Sequence, residues 1–122
     1  MAKSFSSTQR MNNGRVHLNK KMVELLGEYY YPASMDVGLG NDILLLPEAS
    51  VEKYKGKAKI YEPMRIRKAD MALIPKDLRP HEQTVHLQYL LDAVLIRPLS
   101  QVEDITQKIY KSLASQIAYK LK

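Results

Sequence analysis

Arg15-Val16-His17-Leu18-Asn19-Lys20 and Met71-Ala72-Leu73-Ile74-Pro75-Lys76 place an apolar strand core and a closing lysine in the same order, 56 positions apart. Further on, Ile43-Leu44-Leu45-Leu46-Pro47 aligns with Val94-Leu95-Ile96-Arg97-Pro98 at an offset of 51, and Val51-Glu52 aligns with Val102-Glu103 at that same offset. The change of offset falls in the longer Tyr-rich connection after Gly27. Identity is low, so the repeat rests on the order of elements: strand, short helix, hairpin, proline, Val-Glu. Self-similarity of this kind signals an internal duplication. Each unit is roughly 45 residues, too few to bury a core alone. Two interlocking units make one small β-rich body with pseudo-two-fold symmetry, the intrachain counterpart of an isologous dimer.

The intervening residues fill in the pattern. Met1–Asn13 is polar and reads as a tail. Arg15–Leu18 favours a strand, Asn19 caps a brief helix over Lys20–Leu26, and Gly27 sits where a left-handed residue ends it. Tyr29–Tyr31 and Ser34–Leu39 favour strand, Gly40-Asn41-Asp42 a turn, and Ile43–Leu46 a buried strand. Val51–Lys55 suits a helical turn, which Gly56 breaks. In the second half, Met71–Ile74 is a short strand, Pro75 opens a single turn over Lys76–Arg79, and Pro80 stops it. Thr84–Leu90 alternates as a half-buried strand, Asp92 marks a turn, and Ala93–Ile96 is its partner. Ser100-Gln101-Val102-Glu103 reads as a capping box. Val102, Ile105, Ile109, Leu113, Ile117 and Leu121 then follow at helical spacing, predicting an amphipathic helix from Gln101 to about Lys120. Five segments result: a polar N-terminal arm (1–10), a first unit (11–55), a basic linker or strand (56–68), a second unit (69–99) and a C-terminal helix (100–122).

The chain has 122 residues, 45% hydrophobic and 26% charged, which fits one folded domain and argues against wholesale disorder. It has no cysteine, so disulfides, thiol nucleophiles and thiolate zinc sites are excluded. No apolar run approaches membrane-spanning length, and the polar N-terminus lacks a signal-peptide core, so the cytoplasm is the expected location. Net charge is +6, and position tells more than total. Lys53, Lys55, Lys57, Lys59, Arg65, Arg67 and Lys68 face a single acid, Glu62, within 53–68, which accounts for the whole excess. Read as extended chain, Lys53, Lys55, Lys57 and Lys59 form a comb of ammonium groups on one face. Such a comb repels itself unless a polyanion lies across it, and nucleic acid is the common choice. A solvated, charged linker is the plain alternative.

The motif residues resemble the AbrB/SpoVT swapped-hairpin family. Gly14-Arg15-Val16-His17-Leu18, followed by a short helix ending Leu25-Leu26-Gly27, matches that family's Gly-Arg strand and Leu-Gly helix end. Leu73-Ile74-Pro75-Lys76-Asp77-Leu78-Arg79 matches its Ile-Pro-Lys stretch with Leu-Arg. Two copies in one chain resemble the tandem arrangement of the MraZ branch. The likeness covers about residues 10–98. Each unit keeps half the pattern: Asn19 stands where proline is usual, and Asp70-Met71 replaces Gly-Arg. The resemblance implies a mostly β fold with short helices (α+β). In it, two β-α-β-hairpin units form one pseudo-two-fold swapped-hairpin barrel, with the C-terminal amphipathic helix added. It also implies a DNA-binding transcriptional regulator of prokaryotic nucleoid, viral or plasmid origin. Duplex-DNA contacts transfer to Arg15 and Arg79, with Lys76 beside them; Arg10, Lys20, Lys21, Arg65, Arg67 and Lys68 are near in sequence. Arginine forks suit phosphate or a guanine edge. A surface ion pair with Glu24 or Asp77 is the structural alternative for Arg15 and Arg79.

Enzymatic chemistry finds no support in the residues. His17, His81 and His86 lack ligand spacing and accompanying carboxylates, which predicts sheet-surface histidines and no metal. No phosphate-binding glycine loop or nucleophile elbow is present, so no cofactor or small-molecule substrate is expected. Two other readings stay open. One is an antitoxin-like or phage/plasmid interaction module, with the C-terminal helix carrying the partner. The other is a single-stranded nucleic-acid binder using Tyr29-Tyr30-Tyr31 and the lysine comb. For the DNA-binding regulator, homo-oligomerisation through the C-terminal helix or the sheet edges is expected.

Overall fold

The computed structural model describes residues 6–36 and 41–102. Among them the protein is mostly β, with few short helices and a curled, half-barrel sheet. The strands are β1 (Ser6–Arg10), β2 (Arg15–His17), β3 (Tyr29–Asp36), β4 (Asn41–Leu46), β5 (Lys59–Ile60), β6 (Met64–Arg65), β7 (Met71–Leu73), β8 (Thr84–Leu90) and β9 (Ala93–Pro98). The α-helices are α1 (Lys20–Leu26) and α2 (Val51–Tyr54). The main sheet runs β1-β8-β9-β4-β3-β5, with β6 also on β3, while β2 and β7 pair in a second, two-stranded sheet.

The register of these pairings follows the sequence repeat. In the small sheet Val16 faces Ala72, its own equivalent 56 positions on. In the main sheet Leu44 faces Leu95, its own equivalent 51 positions on. Isolated hydrogen bonds come in matched pairs as well. Leu18 N–H donates to Asp70 C=O at 2.9 Å, and Ile74 N–H to Gly14 C=O at 2.8 Å. Met11 N–H donates to Gln83 C=O at 2.7 Å, and Ile66 N–H to Glu28 C=O at 3.0 Å. The segment leading into each unit pairs with the other unit's hairpin: Arg10 faces Thr84, and Arg65 faces Tyr29.

Residues 1–5 lie outside the described residues; for Ser6–Arg10 this pairing corrects the reading of an N-terminal arm, since that stretch is a sheet strand. Its polarity misleads because the sequence Ser-Ser-Thr-Gln-Arg occupies an edge, where side chains meet water. Gln9 carries a further function there. Its carboxamide accepts the His17 N–H at 2.6 Å and donates to the His17 C=O at 2.8 Å, standing in for a strand partner and tying β1 to β2. The lysine comb is corrected too. Lys53 lies on α2, Lys55 and Lys57 flank the turn at Gly56, and only Lys59 is in a strand. Pro32 explains why the second leading segment breaks into β5 and β6. Its C=O accepts the Tyr61 N–H at 2.8 Å. In an antiparallel strand the N–H points to that same neighbour, and proline has none to give.

Local chemistry fits the elements. Asn19 Oδ1 accepts the Met22 N–H at 3.0 Å, capping α1, and Gly27 closes it at φ 77°. The apolar runs Ile43–Leu46 and Ala93–Ile96 are continuous because both faces of β4 and β9 are covered. Ile43, Leu45, Val94 and Ile96 join Val16, Leu18, Met22, Tyr30, Ile74, Val85 and Leu87 in one core drawn from both units. Leu44, Leu46, Ala93 and Leu95 pack on the opposite face with Ala33, Tyr31 and Tyr54. Across the seam, Asp42 is 1% exposed and held bidentately by Arg97, Nε to Oδ1 at 3.0 Å and Nη2 to Oδ2 at 2.9 Å. Gln101 Nε2 adds a third donor at 3.2 Å. Residues 99–102 are helical, and Glu82 accepts both the Ser100 hydroxyl and its amide; Glu103, the other half of the expected capping box, lies outside the described residues. The rest of the expected C-terminal helix lies outside the described residues. No described helix is long and apolar enough to cross a membrane.

Each unit's opening turn has two consecutive residues at positive φ, Asn13 and Gly14 in the first, Ala69 and Asp70 in the second. Asn-Gly is the preferred pair for such a turn. Ala69 at φ 59° is strained, because its Cβ crowds the backbone in the left-handed region. Copying the first turn into the second, Ala69→Asn with Asp70→Gly, is expected to raise the unfolding free energy by about 1 kcal/mol, read from the urea midpoint. A variant no more stable than its parent refutes the strain.

Candidate nucleic-acid interface

The small sheet and the second leading segment build a basic groove. Arg15 on β2, Arg65 on β6, and Arg67 and Lys68 just beyond it converge there with Pro63, Met64, Ile66 and Met71, around a volume of about 820 Å³. The groove begins at the interruption opposite Pro32. Arg67 is fixed by its own backbone, whose N–H donates to Met71 C=O at 2.9 Å. Arg15 Nε is buried and makes no hydrogen bond. Among the described residues, the ion pairs are Lys53–Asp92, Lys55–Glu52 and Arg97–Asp42, and none involves a groove cation. An uncompensated cluster of this kind focuses positive potential in a concave wall. At the groove's end the Arg65 guanidinium lies 5.9 Å from the centre of the Tyr29 ring, and Tyr29 is 49% exposed.

The other expected contact residues are placed elsewhere. Arg79 Nε donates to Ile74 C=O at 2.8 Å, and its guanidinium lies against Gly14, where an added Cβ would meet Cζ at 2.3 Å. Gly14 is therefore needed twice, for φ +75° and for the room that Arg79 takes. Lys76 is exposed on the single turn Lys76–Leu78. Lys20 and Lys21 are exposed on the first turn of α1, and Arg10 is exposed at the end of β1. None of these lines the groove. The lysines of the expected comb are largely engaged: Lys53 pairs with Asp92, Lys55 lies 3.5 Å from Glu52, and Lys59 sits 5.2 Å from the Tyr61 ring centre. Asp92 is pushed up by burial, yet the Lys53 ammonium and the Tyr54 hydroxyl outweigh this and hold its carboxyl below the usual range.

The tyrosine run divides by strand alternation. Tyr30 is fully buried, donates its hydroxyl to Leu73 C=O at 2.8 Å, and has its pKa raised by burial. Tyr29 faces outward. The histidines form no metal cluster with acids among the described residues. His86 lies 3.3 Å from the Thr8 hydroxyl across the β1–β8 pair. In the comparisons with known proteins, no family model, no curated protein and no solved structure matches the chain.

Two outcomes test these placements. Arg79→Ala is expected to cost about 1–2 kcal/mol of stability in denaturant unfolding, through the orphaned Ile74 carbonyl. Unchanged stability would contradict a structural role for Arg79. The second concerns His86, whose imidazole burial, and then Arg97, hold below its usual 6.5. A base depressed in the folded state contributes stability that is full above its unfolded pKa and lost as pH falls through the folded value. His86→Gln should therefore flatten the fall in melting temperature between about pH 7 and pH 5. Parallel profiles for the two proteins would contradict this.

Proposed function

We propose that the chain is a transcriptional regulator that binds duplex DNA on a pseudo-two-fold swapped-hairpin scaffold made from a single chain. The pairing of repeat-equivalent residues, Val16 with Ala72 and Leu44 with Leu95, supports the scaffold. The observation that carries the function is the groove in which Arg15, Arg65, Arg67 and Lys68 converge without a carboxylate in ion-pair range among the described residues. Guanidinium forks can hold phosphate oxygens in pairs, and Lys68 adds a point charge. Neutralising three or four phosphates releases their counterions, so the logarithm of affinity should fall with the logarithm of salt at a slope of about −3 to −4.

A second reading rests on Tyr29. Its exposed ring beside Arg65 is a stacking surface at the mouth of a cationic channel, the combination single-strand binders use. A gel-shift salt series with random duplex and random single strand separates the two. The duplex reading expects retardation of duplex at low salt, lost as salt rises, with Arg15→Ala costing about 1–3 kcal/mol. No shift with any duplex at low salt ends that reading. A clear preference for single strand, abolished by Tyr29→Ala and kept by Tyr29→Phe, favours the other.

A further inference from the structure

The two leading segments superimpose in register but differ in chemistry. Matching Arg10–Thr84 to Arg65–Tyr29 and Gln9–Val85 to Met64–Tyr30 makes Arg10 the counterpart of Arg65, and Gln9 that of Met64. By the same matching, the bonds of Met11 to Gln83 and of Ile66 to Glu28 are counterparts, and Asn12 answers Arg67. The first turn closes tightly, with Asn12 and Arg15 exchanging two hydrogen bonds of 3.0 Å each. The second turn, from Arg67 to Met71, is one residue longer, and that extra residue is Lys68.

On the first side the gap between leading segment and small sheet is bridged by Gln9, whose amide takes both backbone groups of His17. On the second side the counterpart of His17 is Leu73. Its carbonyl is taken from the core side by Tyr30, and Met64 replaces the bridging amide. There the groove lies open, and Arg15 crosses from the first unit to line it, while Met71 is the residue at the equivalent place in the second unit. One side thus holds four cations, and at the equivalent positions of the other Arg10 alone is basic.

The geometry points to a single polyanion groove per chain: the duplication gives two equivalent positions, one tied shut by Gln9 and one specialised to hold a phosphodiester backbone. This rests on the nucleic-acid reading and adds stoichiometry and symmetry to it. A chain with one groove binds one backbone segment. Its footprint therefore has no internal two-fold axis, unlike a symmetric dimer, whose site mirrors its own symmetry.

The test uses the full chain and a random duplex of about 12 base pairs, a little over one helical turn. Titration calorimetry and anisotropy at low salt give stoichiometry and affinity, and thermal unfolding confirms that each variant is folded. One duplex per chain is expected. The Arg65→Gln, Arg67→Gln, Lys68→Gln variant should bind at least about tenfold more weakly. Its symmetry control, Arg10→Gln, should stay within about twofold of the parent, as an exposed charge off the groove. Two duplexes per chain, or an Arg10→Gln loss as large as that of Arg65→Gln alone, overturns the single groove while leaving nucleic-acid binding intact. No binding by the unaltered chain removes the functional reading and this inference together.

Discussion

The seam between β4 and β9 is the contact on which the rest depends. Leu44 and Leu95 meet there as equivalent residues, and the strands on either side bury apolar groups on both faces. A unit taken alone would expose its half of that seam, and apolar area left in water costs roughly 25 cal/mol per Å². Neither half has material to replace the other, since Val16, Leu18 and Met22 share one cluster with Ile74, Val85 and Leu87. The small sheet repeats the argument at lesser scale, with Val16 against Ala72 and the paired bonds from Leu18 and Ile74. Leading segments that cross to the opposite hairpin complete the interlock.

Symmetry of the backbone does not carry over to the polar side chains. Asp42 and Arg97 lock one end of the seam, whereas their equivalents at the other end are Ala93 and Leu46, both buried and apolar. A buried carboxylate held by a fork and an amide fixes register more than it adds net stability, because desolvation offsets much of the attraction. At the apolar end the hairpin turn is secured from outside: Ser50 donates to Asp92 C=O at 2.7 Å, and Lys53 and Tyr54 reach the Asp92 carboxylate. Each end of the seam thus has its own polar latch, and a one-residue slip would break both.

Much of this fold was legible in the sequence, for reasons that can be named. The repeat was visible because the seam and the small sheet need the same apolar spacing in both halves. Helix α1 was visible because Asn19 and Gly27 bound it, and β8 because Thr84–Leu90 alternates. Strand β1 was not, since an edge strand bonded through Gln9 needs no apolar alternation. The lysine spacing suggested a strand, but Gly56 and the turn after α2 took precedence over period-two spacing. Arg15, Arg65, Arg67 and Lys68 were each singled out as basic, yet nothing local indicates that residue 15 meets residues 65–68. That proximity follows from the antiparallel pairing of β2 with β7, a contact between strands 56 positions apart at Val16 and Ala72. Arg79 was singled out by motif alone. Its binding to Ile74 C=O depends on the empty space above Gly14, which only the folded backbone reveals.

Where the charge excess goes is the last step. Outside the groove several cations of the described chain have local partners: Arg97 has Asp42, Lys53 has Asp92, Lys55 has Glu52, and Lys59 lies over the Tyr61 ring. A sequence under no other constraint than solubility would treat the groove the same way, since like charges held together in a concave wall repel and gain from any acid placed among them. Instead Arg15, Arg67 and Lys68 stand without one, and Arg15 Nε gives up its water as well. The turn that presents Lys68 is strained at Ala69, while the equivalent Asn13-Gly14 turn is relaxed and neutral. Repulsion, desolvation and backbone strain all raise the free energy of the empty groove, and all three fall at the second opening turn and the residues packed beside it. The polyanion proposed for this groove would relieve two of them at once, repulsion and desolvation, and leave the strain at Ala69 in place.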